Sequence, residues 1–379
     1  MVKVYTNAHL FTGEGEVEKG YIRFEESILG VGKMELFEEE ENEEVIDMEG
    51  KYVIPGFIDI HSHGGYGIDN MDADPDKIND MIQKMLEEGI TSYFPTTMTQ
   101  SDEAIEAALK AIAEAAESNP MIQGIHVEGP FISKDYKGAQ PEEYIRVAQL
   151  DKLKEWQELS GNLIRLITYA PETGDVSDFE EYCVENDIVL SAGHSGANYK
   201  ELLESKATHI THLFNGQKGL HHREIGVTGY GLLEDDVTVE MIVDGFHISE
   251  EMVKLAYRTK GADGIVLITD SMRAKGLPEG ESELGGQTVF IKDKQARLES
   301  GNLAGSVLTF IDAFKNMMEY TGCSMLEAVK MSSFNQAKEF GLSTKGQLMP
   351  SFDADMLVLD KVLTLKQTIA GGKVHEFNN

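Results

Sequence analysis

The chain has 379 residues, of which 41% are hydrophobic and 26% are charged, and its formal net charge at pH 7 is −33. This composition is that of a folded globular protein and excludes a fibrous or disordered one. The large negative charge repels nucleic-acid phosphates and anionic lipids, so we expect neither nucleic acid nor a membrane surface as a partner.

The N-terminal residues alternate like a strand and do not resemble a signal peptide, and no apolar run reaches the length of a membrane span. The two cysteines, Cys183 and Cys323, match no disulfide or metal-ligand spacing. We therefore expect a cytoplasmic protein whose two thiols lie in its core.

Both ends of the chain have the pattern of short antiparallel strands. Residues 1–50 contain alternating apolar and polar residues with turn residues between them, and residues 343–379 repeat this style. We predict that these two segments pair into one small β-sandwich module. The acidic run at residues 38–44 is interpreted as a solvated loop.

The central segment, residues 51–342, alternates apolar β-rich runs with helical patterns, which is typical of parallel βαβ units. Helical spacing is clear at 77–88, 102–117 and 249–260, and residues 306–342 predict additional helices. Eight apolar runs lie at 53–60, 90–95, 122–128, 163–169, 188–192, 208–213, 237–243 and 265–269. About eight repeats predict an α/β fold, a closed (β/α)8 TIM-like barrel.

Histidine and carboxylate residues stand at or just after the ends of these runs. His61 and His63 are two positions apart, so on a strand their side chains share one face. Glu128, His194, His212 and Asp270 follow four other runs. Because the carboxyl ends of barrel strands meet at one rim, we expect all six to lie together. Imidazole and carboxylate ligands suit Zn²⁺ or Fe²⁺ better than Mg²⁺ or Ca²⁺, so the sequence predicts a metal site.

Two further histidines, His126 and His209, precede predicted ligands within the same runs. Their position predicts side chains deeper in the barrel, where they support the site or belong to the core.

Eight segments together resemble N-acetylglucosamine-6-phosphate deacetylases of the amidohydrolase superfamily. The first, PGFIDIHSHG at 55–64, is similar to the strand-one motif of the whole superfamily. The others are HVEGPF (126–131), SAGHS (191–195), THLFNG (211–216), LHHRE (220–224), DGFH (244–247), ITDSM (268–272) and LAGS (303–306). Because the segments match in order and approximate spacing over nearly the whole chain, chance agreement is remote.

The resemblance implies a role for each group of residues. Glu128, His194 and His212 would hold the metal common to the family, and His61 with His63 would allow a second ion, giving one or two divalent ions per chain. Asp270 would be the catalytic acid and base. The sugar phosphate would contact Ala139, Gln140, Asn215, Gly216, Arg223, His247, Leu303, Ala304 and Gly305, with Arg223 coming from the neighbouring subunit of a homodimer.

The sequence departs from several relatives at two of these segments. Gln140 stands where they have histidine, and Gln217 stands where others have methionine. Glutamine donates hydrogen bonds but carries no charge, so we expect the contact made at position 140 to differ in detail from that of these relatives.

Two other functions are compatible with the barrel. A related amidohydrolase that cleaves another amide or a cyclic amide would share the fold and the metal residues, although the segments at 220–224 and 244–247 argue against it. A non-catalytic scaffold would lack metal ligands, whereas all the candidate ligands are present.

Overall fold

The computed structural model describes residues 1–377 and contains twenty-one strands in four sheets. In chain order the strands are β1 (Lys3–Phe11), β2 (Glu16–Phe24), β3 (Ile28–Lys33), β4 (Glu44–Asp47), β5 (Tyr52–Pro55), β6 (Phe57–Ser62), β7 (Gly64–Gly65), β8 (Ile68–Asp69), β9 (Ile90–Thr97), β10 (Ile125–Glu128), β11 (Ile164–Tyr169), β12 (Val189–Ala192), β13 (His209–Ile210), β14 (Thr238–Ile242), β15 (Ile265–Ile268), β16 (Gly280–Leu284), β17 (Gln287–Lys292), β18 (Gln295–Leu298), β19 (Met356–Leu359), β20 (Leu365–Ala370) and β21 (Lys373–Glu376).

Ten α-helices accompany the strands within the described residues. They are α1 (Pro75–Met85), α2 (Asp102–Ser118), α3 (Leu150–Leu159), α4 (Ser177–Glu185), α5 (Tyr199–Glu204), α6 (Gly226–Leu233), α7 (Glu250–Lys260), α8 (Phe310–Thr321), α9 (Met325–Val329) and α10 (Asn335–Glu339). No helix within residues 1–377 is both long and apolar enough to cross a bilayer.

Eight parallel strands form the predicted barrel. They lie in the order β6, β9, β10, β11, β12, β13, β14, β15, so each strand neighbours the next one along the chain. The first and last strands are joined where the Asp270 N–H donates to the His61 carbonyl at 2.8 Å. Thr269 Oγ1 adds a bond to Asp59 Oδ2 at 2.6 Å. The eight apolar runs therefore close into a barrel, as predicted.

One helix follows each barrel strand and covers its outer face. In α2 the buried residues Ile105, Leu109 and Ile112 recur at helical spacing and face the strands. The side chain of Ser101 caps this helix by accepting from the Ala104 N–H. Spacing and cap together explain why the predicted helix at 102–117 agrees closely with α2.

The predicted first run, residues 53–60, is divided between two sheets. Residues 52–55 form β5 in the small module, and residues 57–62 form β6 in the barrel. The break falls at Gly56, where a Cβ would overlap the side chain of Thr91. Apolar content cannot reveal this break because both halves are buried.

The two ends of the chain meet in one eight-stranded sheet. Its order is β21, β20, β19, β5, β1, β2, β3, with β4 also paired to β1. Strand β5 lies between β1 and β19 and therefore joins the N-terminal and C-terminal segments. Tyr5, Phe24 and Met356 are among the residues of a separate hydrophobic core in this module.

A three-stranded antiparallel sheet, β16 to β18, is inserted after the last barrel strand. The sequence pattern did not predict it, because its alternation is short and most outward residues are charged or polar. It packs beside the carboxyl-terminal rim through a hydrophobic cluster that includes Met98, Met272 and Leu284. This sheet therefore adjoins the rim where the candidate residues lie.

The turn between β20 and β21 offers a matched test of how the module is packed. Gly371 and Gly372 have φ values of +53° and +77°, but a Cβ at Gly371 meets open space, whereas one at Gly372 would overlap the Glu25 backbone. Gly371→Ala should lower the free energy of unfolding by about 1 to 2 kcal/mol from the left-handed backbone alone. Gly372→Ala should cost about 2 to 4 kcal/mol because a steric overlap is added. Denaturant unfolding measures both, and equal losses would contradict this packing.

Candidate metal centre and active site

The barrel brings all six predicted metal and catalytic residues to one buried point. His61 and His63 come from the end of β6 and Glu128 from the end of β10, while the other three follow their strands by two residues. His194, His212 and Asp270 have φ values of +46°, +29° and +47°. Strained backbone of this kind occurs mainly at functional sites, where it aims a side chain that a regular strand would point elsewhere.

Glu128, His194 and His212 form the first ligand group. Glu128 Oε1 lies 3.1 Å from Nε2 of each histidine, and the two Nε2 atoms are 3.1 Å apart. His194 Nδ1 donates to the Tyr136 carbonyl at 2.8 Å, so its Nε2 has a free lone pair. Two nitrogens and a carboxylate oxygen that face one another this closely have the arrangement of ligands to one cation.

His61, His63, Glu128 and Asp270 form a second group. His63 Nε2 lies 3.1 Å from Glu128 Oε2 and 3.4 Å from Asp270 Oδ1. His61 Nε2 lies 3.6 Å from Glu128 Oε1 and 3.5 Å from Asp270 Oδ1, and it is buried without a hydrogen-bond partner. A buried nitrogen without a partner is costly, and a cation would satisfy it. These residues fit a divalent metal, and the shared Glu128 allows two adjacent positions.

A chain of hydrogen-bonded polar groups supports His61 from deeper in the barrel. His61 Nδ1 lies 2.8 Å from Glu240 Oε2, which also accepts the His212 N–H at 3.0 Å. Glu240 Oε1 lies 3.2 Å from His209 Nε2, and His209 Nδ1 lies 2.8 Å from Glu339 Oε1. Because Glu240 accepts the Nδ1 proton of His61, the Nε2 lone pair is directed at the metal position. His209 thus supports the site from deeper in the barrel, as predicted.

The second deep histidine, His126, has a different set of contacts. Its Nε2 lies 2.7 Å from Thr168 Oγ1, and its ring packs edge-on against His61. Burial lowers its pKa well below the ordinary value. A neutral ring with hydroxyl partners agrees with its predicted place in the interior.

The carboxylates give the centre a negative potential. Burial alone raises the pKa of Glu128, but the surrounding histidines, led by His194 and His212, outweigh burial and hold this pKa well below its ordinary value. Burial alone lowers the pKa of His61, but neighbouring carboxylates, led by Glu240 and Asp270, raise it to about 9. The same potential favours a divalent cation at this point.

A cavity of about 270 Å³ opens beside the centre and receives most of the predicted substrate-binding residues. Those that line it are Ala139, Gln140, Asn215, Gly216, His247, Leu303 and Gly305. Ala304 is fully buried behind this wall, and Arg223 is exposed outside the cavity with its Nη1 2.6 Å from His222 Nε2. Three lining residues, Met98, Gly138 and Leu284, were not predicted, and Met98 and Leu284 were missed because each resembles an ordinary core residue in the sequence.

Gln140 lines the cavity, but its amide is engaged by the protein. Its Nε2 donates to Glu128 Oε2 at 2.6 Å, and its Oε1 accepts the Thr99 N–H at 2.9 Å. The departure from histidine at this position therefore places a neutral amide directly on Glu128, the carboxylate shared by the two candidate ligand groups. Another missed residue, Glu240, had a visible signal, since it is a lone carboxylate in a buried strand.

Comparison with known proteins identifies relatives along almost the whole chain. The Amidohydrolase family profile matches residues 52–375. The chain is 43% identical to an N-acetylglucosamine-6-phosphate deacetylase of Lysinibacillus sphaericus, and the match covers 87% of each chain. It is 33% identical to an N-acetylgalactosamine-6-phosphate deacetylase of Escherichia coli O157:H7, and this match covers 88% of this chain and 90% of that protein. The crystal structure of N-acetylglucosamine-6-phosphate deacetylase from Thermotoga maritima superimposes with a TM-score of 0.89 at 39% identity, covering 99% of this chain and 100% of that one.

The family match covers more than half of the chain, and the sequence and structural relatives agree with it. The chain belongs to the amidohydrolase family and, within it, to the N-acetylglucosamine-6-phosphate deacetylases.

Proposed function

We propose that this protein hydrolyses the N-acetyl group of N-acetylglucosamine 6-phosphate to give glucosamine 6-phosphate and acetate in amino-sugar catabolism. The observation that carries the proposal is the shared carboxylate Glu128, which lies between two pairs of histidines at the edge of a cavity that also contains Asp270. The relative from Lysinibacillus sphaericus supports the same substrate.

The reaction joins one water molecule to an amide and releases an amine and a carboxylic acid. His61, His63, Glu128, His194 and His212 would hold one or two divalent ions, which we propose to be zinc or iron. A bound divalent ion polarises a carbonyl and lowers the pKa of a water molecule.

We assign to Asp270 the transfer of the proton that this reaction needs twice. Burial alone raises the pKa of its carboxyl group, but the positive charge of His61 and a hydrogen bond from His63 lower it below the ordinary value. Where these histidines hold a divalent ion, the charge of that ion would take their place and keep the carboxylate ionised, so that Oδ can accept a proton from the attacking water. It then delivers that proton to the departing nitrogen, because an amine leaves far more easily than an amide anion.

His247 and Asn215 form a further polar side of the cavity. His247 Nδ1 is held by Asp244 Oδ2 at 2.7 Å, so Nε2 is left for a ligand or for the oxyanion that develops on the carbonyl. Asn215 and the backbone at Gly216 also line this side and suit sugar hydroxyl or phosphate oxygens.

The phosphate needs a cation that the cavity does not supply. No Lys or Arg of residues 1–377 lines this cavity, and the protein has a net charge of −33. We propose that Arg223 of a second subunit completes the site in a homodimer, because a guanidinium can bind phosphate with two parallel hydrogen bonds. The exposed position of Arg223 is compatible with that role.

Other functions are less well supported. The relative named N-acetylgalactosamine-6-phosphate deacetylase makes the C4 epimer a second candidate substrate. A hydrolase of another amide would share the metal residues, and a non-catalytic scaffold would not need them to converge. The protein is proposed to act in the cytoplasm, in agreement with its two free, buried thiols.

The metal proposal predicts a fixed ion content. Purified protein should contain about one to two divalent ions per chain, and removing them with a chelator should abolish acetate release. Adding zinc or iron to the stripped protein should restore activity, and a mock-treated sample is the control. Full activity in protein shown by elemental analysis to be metal-free would refute the proposal.

The phosphate contact predicts a substrate-dependent effect of Arg223→Ala. This variant should raise KM for the phosphorylated sugar by about tenfold or more, and it should change KM for the unphosphorylated sugar little, because only the former loses a charged hydrogen bond. Arg258→Ala, an exposed arginine on α7, serves as the matched control. Equal effects of Arg223→Ala on both sugars would exclude a phosphate contact.

The proton-transfer role predicts a large loss of rate in Asp270→Asn, which keeps the shape of the side chain and removes the base. A positioned acid or base contributes about 10² to 10⁴ in rate, so kcat should fall at least about 10³-fold while KM changes little. Metal content must be measured on the same sample because Asp270 adjoins the metal position. A variant that keeps its metal and turns over within about tenfold of the parent would assign the role to another residue, and His247 would be tested next.

A further inference from the structure

The cavity beside the metal centre is lined by two chemically different sets of residues. The polar set includes Asn215, Gly216 and His247, which follow β13 and β14. The aliphatic set includes Met98, Leu284 and Leu303, and Met98 and Leu284 belong to one hydrophobic cluster, which we call the apolar side. A ligand with an apolar end would contact this side.

The apolar side adjoins the reacting centre. Met98 is followed by Thr99, whose N–H donates to Gln140, and Gln140 donates in turn to Glu128. The apolar side is thus connected to the metal-binding carboxylate through two hydrogen bonds. His63 and Asp270 line the same cavity, so one ligand can contact these residues and the apolar side together.

The three-stranded sheet fixes the position of the wall. Met98 and Leu284 are each only 2% exposed and belong to one hydrophobic cluster. A Cβ at Gly285 would lie 2.9 Å from Met98 Sδ, which shows how closely the sheet approaches the barrel here. Gln287 Nε2 also donates to the Ala139 carbonyl at 2.6 Å and attaches the sheet to the segment that bears Gln140. The wall is therefore packed from behind and has little freedom to retreat.

The N-acyl group is the apolar end of an N-acylated sugar phosphate. Hydroxyl groups, ring oxygen and phosphate are polar and suit the side of Asn215 and His247, whereas the acyl methyl carries no polar atom. We propose that Met98 and Leu284 form the recess for the acyl chain and limit it to the length of an acetyl group. The assignment rests on the proposed deacetylation, and it makes these two side chains specificity-determining residues.

The expected discrimination follows from the size of the recess. One methylene too many in a closed apolar pocket changes kcat/KM by about 10- to 200-fold. The parent should therefore prefer the N-acetyl over the N-propionyl sugar phosphate by at least about tenfold. A shorter side chain at the wall should relax this preference, and a larger one should shift it toward the N-formyl substrate.

The test measures kcat/KM for N-formyl, N-acetyl and N-propionyl glucosamine 6-phosphate in metal-loaded enzyme. Leu284→Ala and Met98→Ala should each raise the propionyl-to-acetyl ratio about tenfold, and Leu284→Phe should raise the formyl-to-acetyl ratio by a similar factor. Because Met98 lies on the barrel and Leu284 on the inserted sheet, a folding defect in one variant leaves the other as a test.

Val289→Ala is the matched control, since Val289 is fully buried in the same cluster but does not line the cavity. Its ratios should stay within about threefold of the parent. Unchanged ratios in both wall variants would overturn the proposal, and so would an equal shift in Val289→Ala, which would indicate a loosened sheet. A parent that releases no acid from the acetyl substrate would instead refute the proposed function.

Discussion

Glu128 is a carboxylate with 2% of its side chain exposed that four imidazole rings approach at distances of 3.1 to 3.6 Å. A buried charge is tolerated only where partners compensate for the water it has lost. Those partners come from β6 and from the segments after β12 and β13, so they meet only if the eight strands close in register. Closure of the barrel therefore stabilises the buried charge of Glu128, and the same closure forms the cavity beside it.

The need to compensate buried charges extends through the interior of the barrel to its opposite end. Glu240 and His209 fill space that aliphatic layers usually occupy in such barrels, and Glu339 meets them from the C-terminal helix α10. His209 lies between two carboxylates, which raise its pKa to about 10 although burial alone lowers it. Charge alternates along this column, so each group compensates for the burial of the next. The C-terminal helix is thereby part of the support of His61.

The sequence was sufficient to predict the barrel and the convergence of the candidate His, Glu and Asp residues for one physical reason. The carboxyl ends of the strands in a parallel barrel share one rim, so His, Glu and Asp residues at the ends of separate apolar runs indicate a single site. Three features could not be predicted because they depend on how segments of the chain pack together. They are the location of Arg223 outside the cavity, the division of residues 53–60 and the hydrogen bond from Gln140 to Glu128. Met98 and Leu284 were missed because an apolar residue has the same appearance in a core and in a ligand recess. The periodicity of apolar residues predicts helices and strands, whereas a ligand recess is defined by contacts between helices, strands and loops.

Because β5 pairs with β19, one edge of β5 stays unpaired for most of protein synthesis. Ile54 pairs with Leu357, so the N-terminal strands leave the ribosome long before their C-terminal partner exists. During that interval the edge of β5 is an unpaired template of the kind that leads to aggregation. Most barrel strands pair with neighbours that follow soon after them and can assemble while translation continues. Only β6 waits in the same way as β5, because it closes on β15. The nascent chain therefore has to shelter the free edges of β5 and β6, by a chaperone or by the growing barrel itself, until their partners emerge.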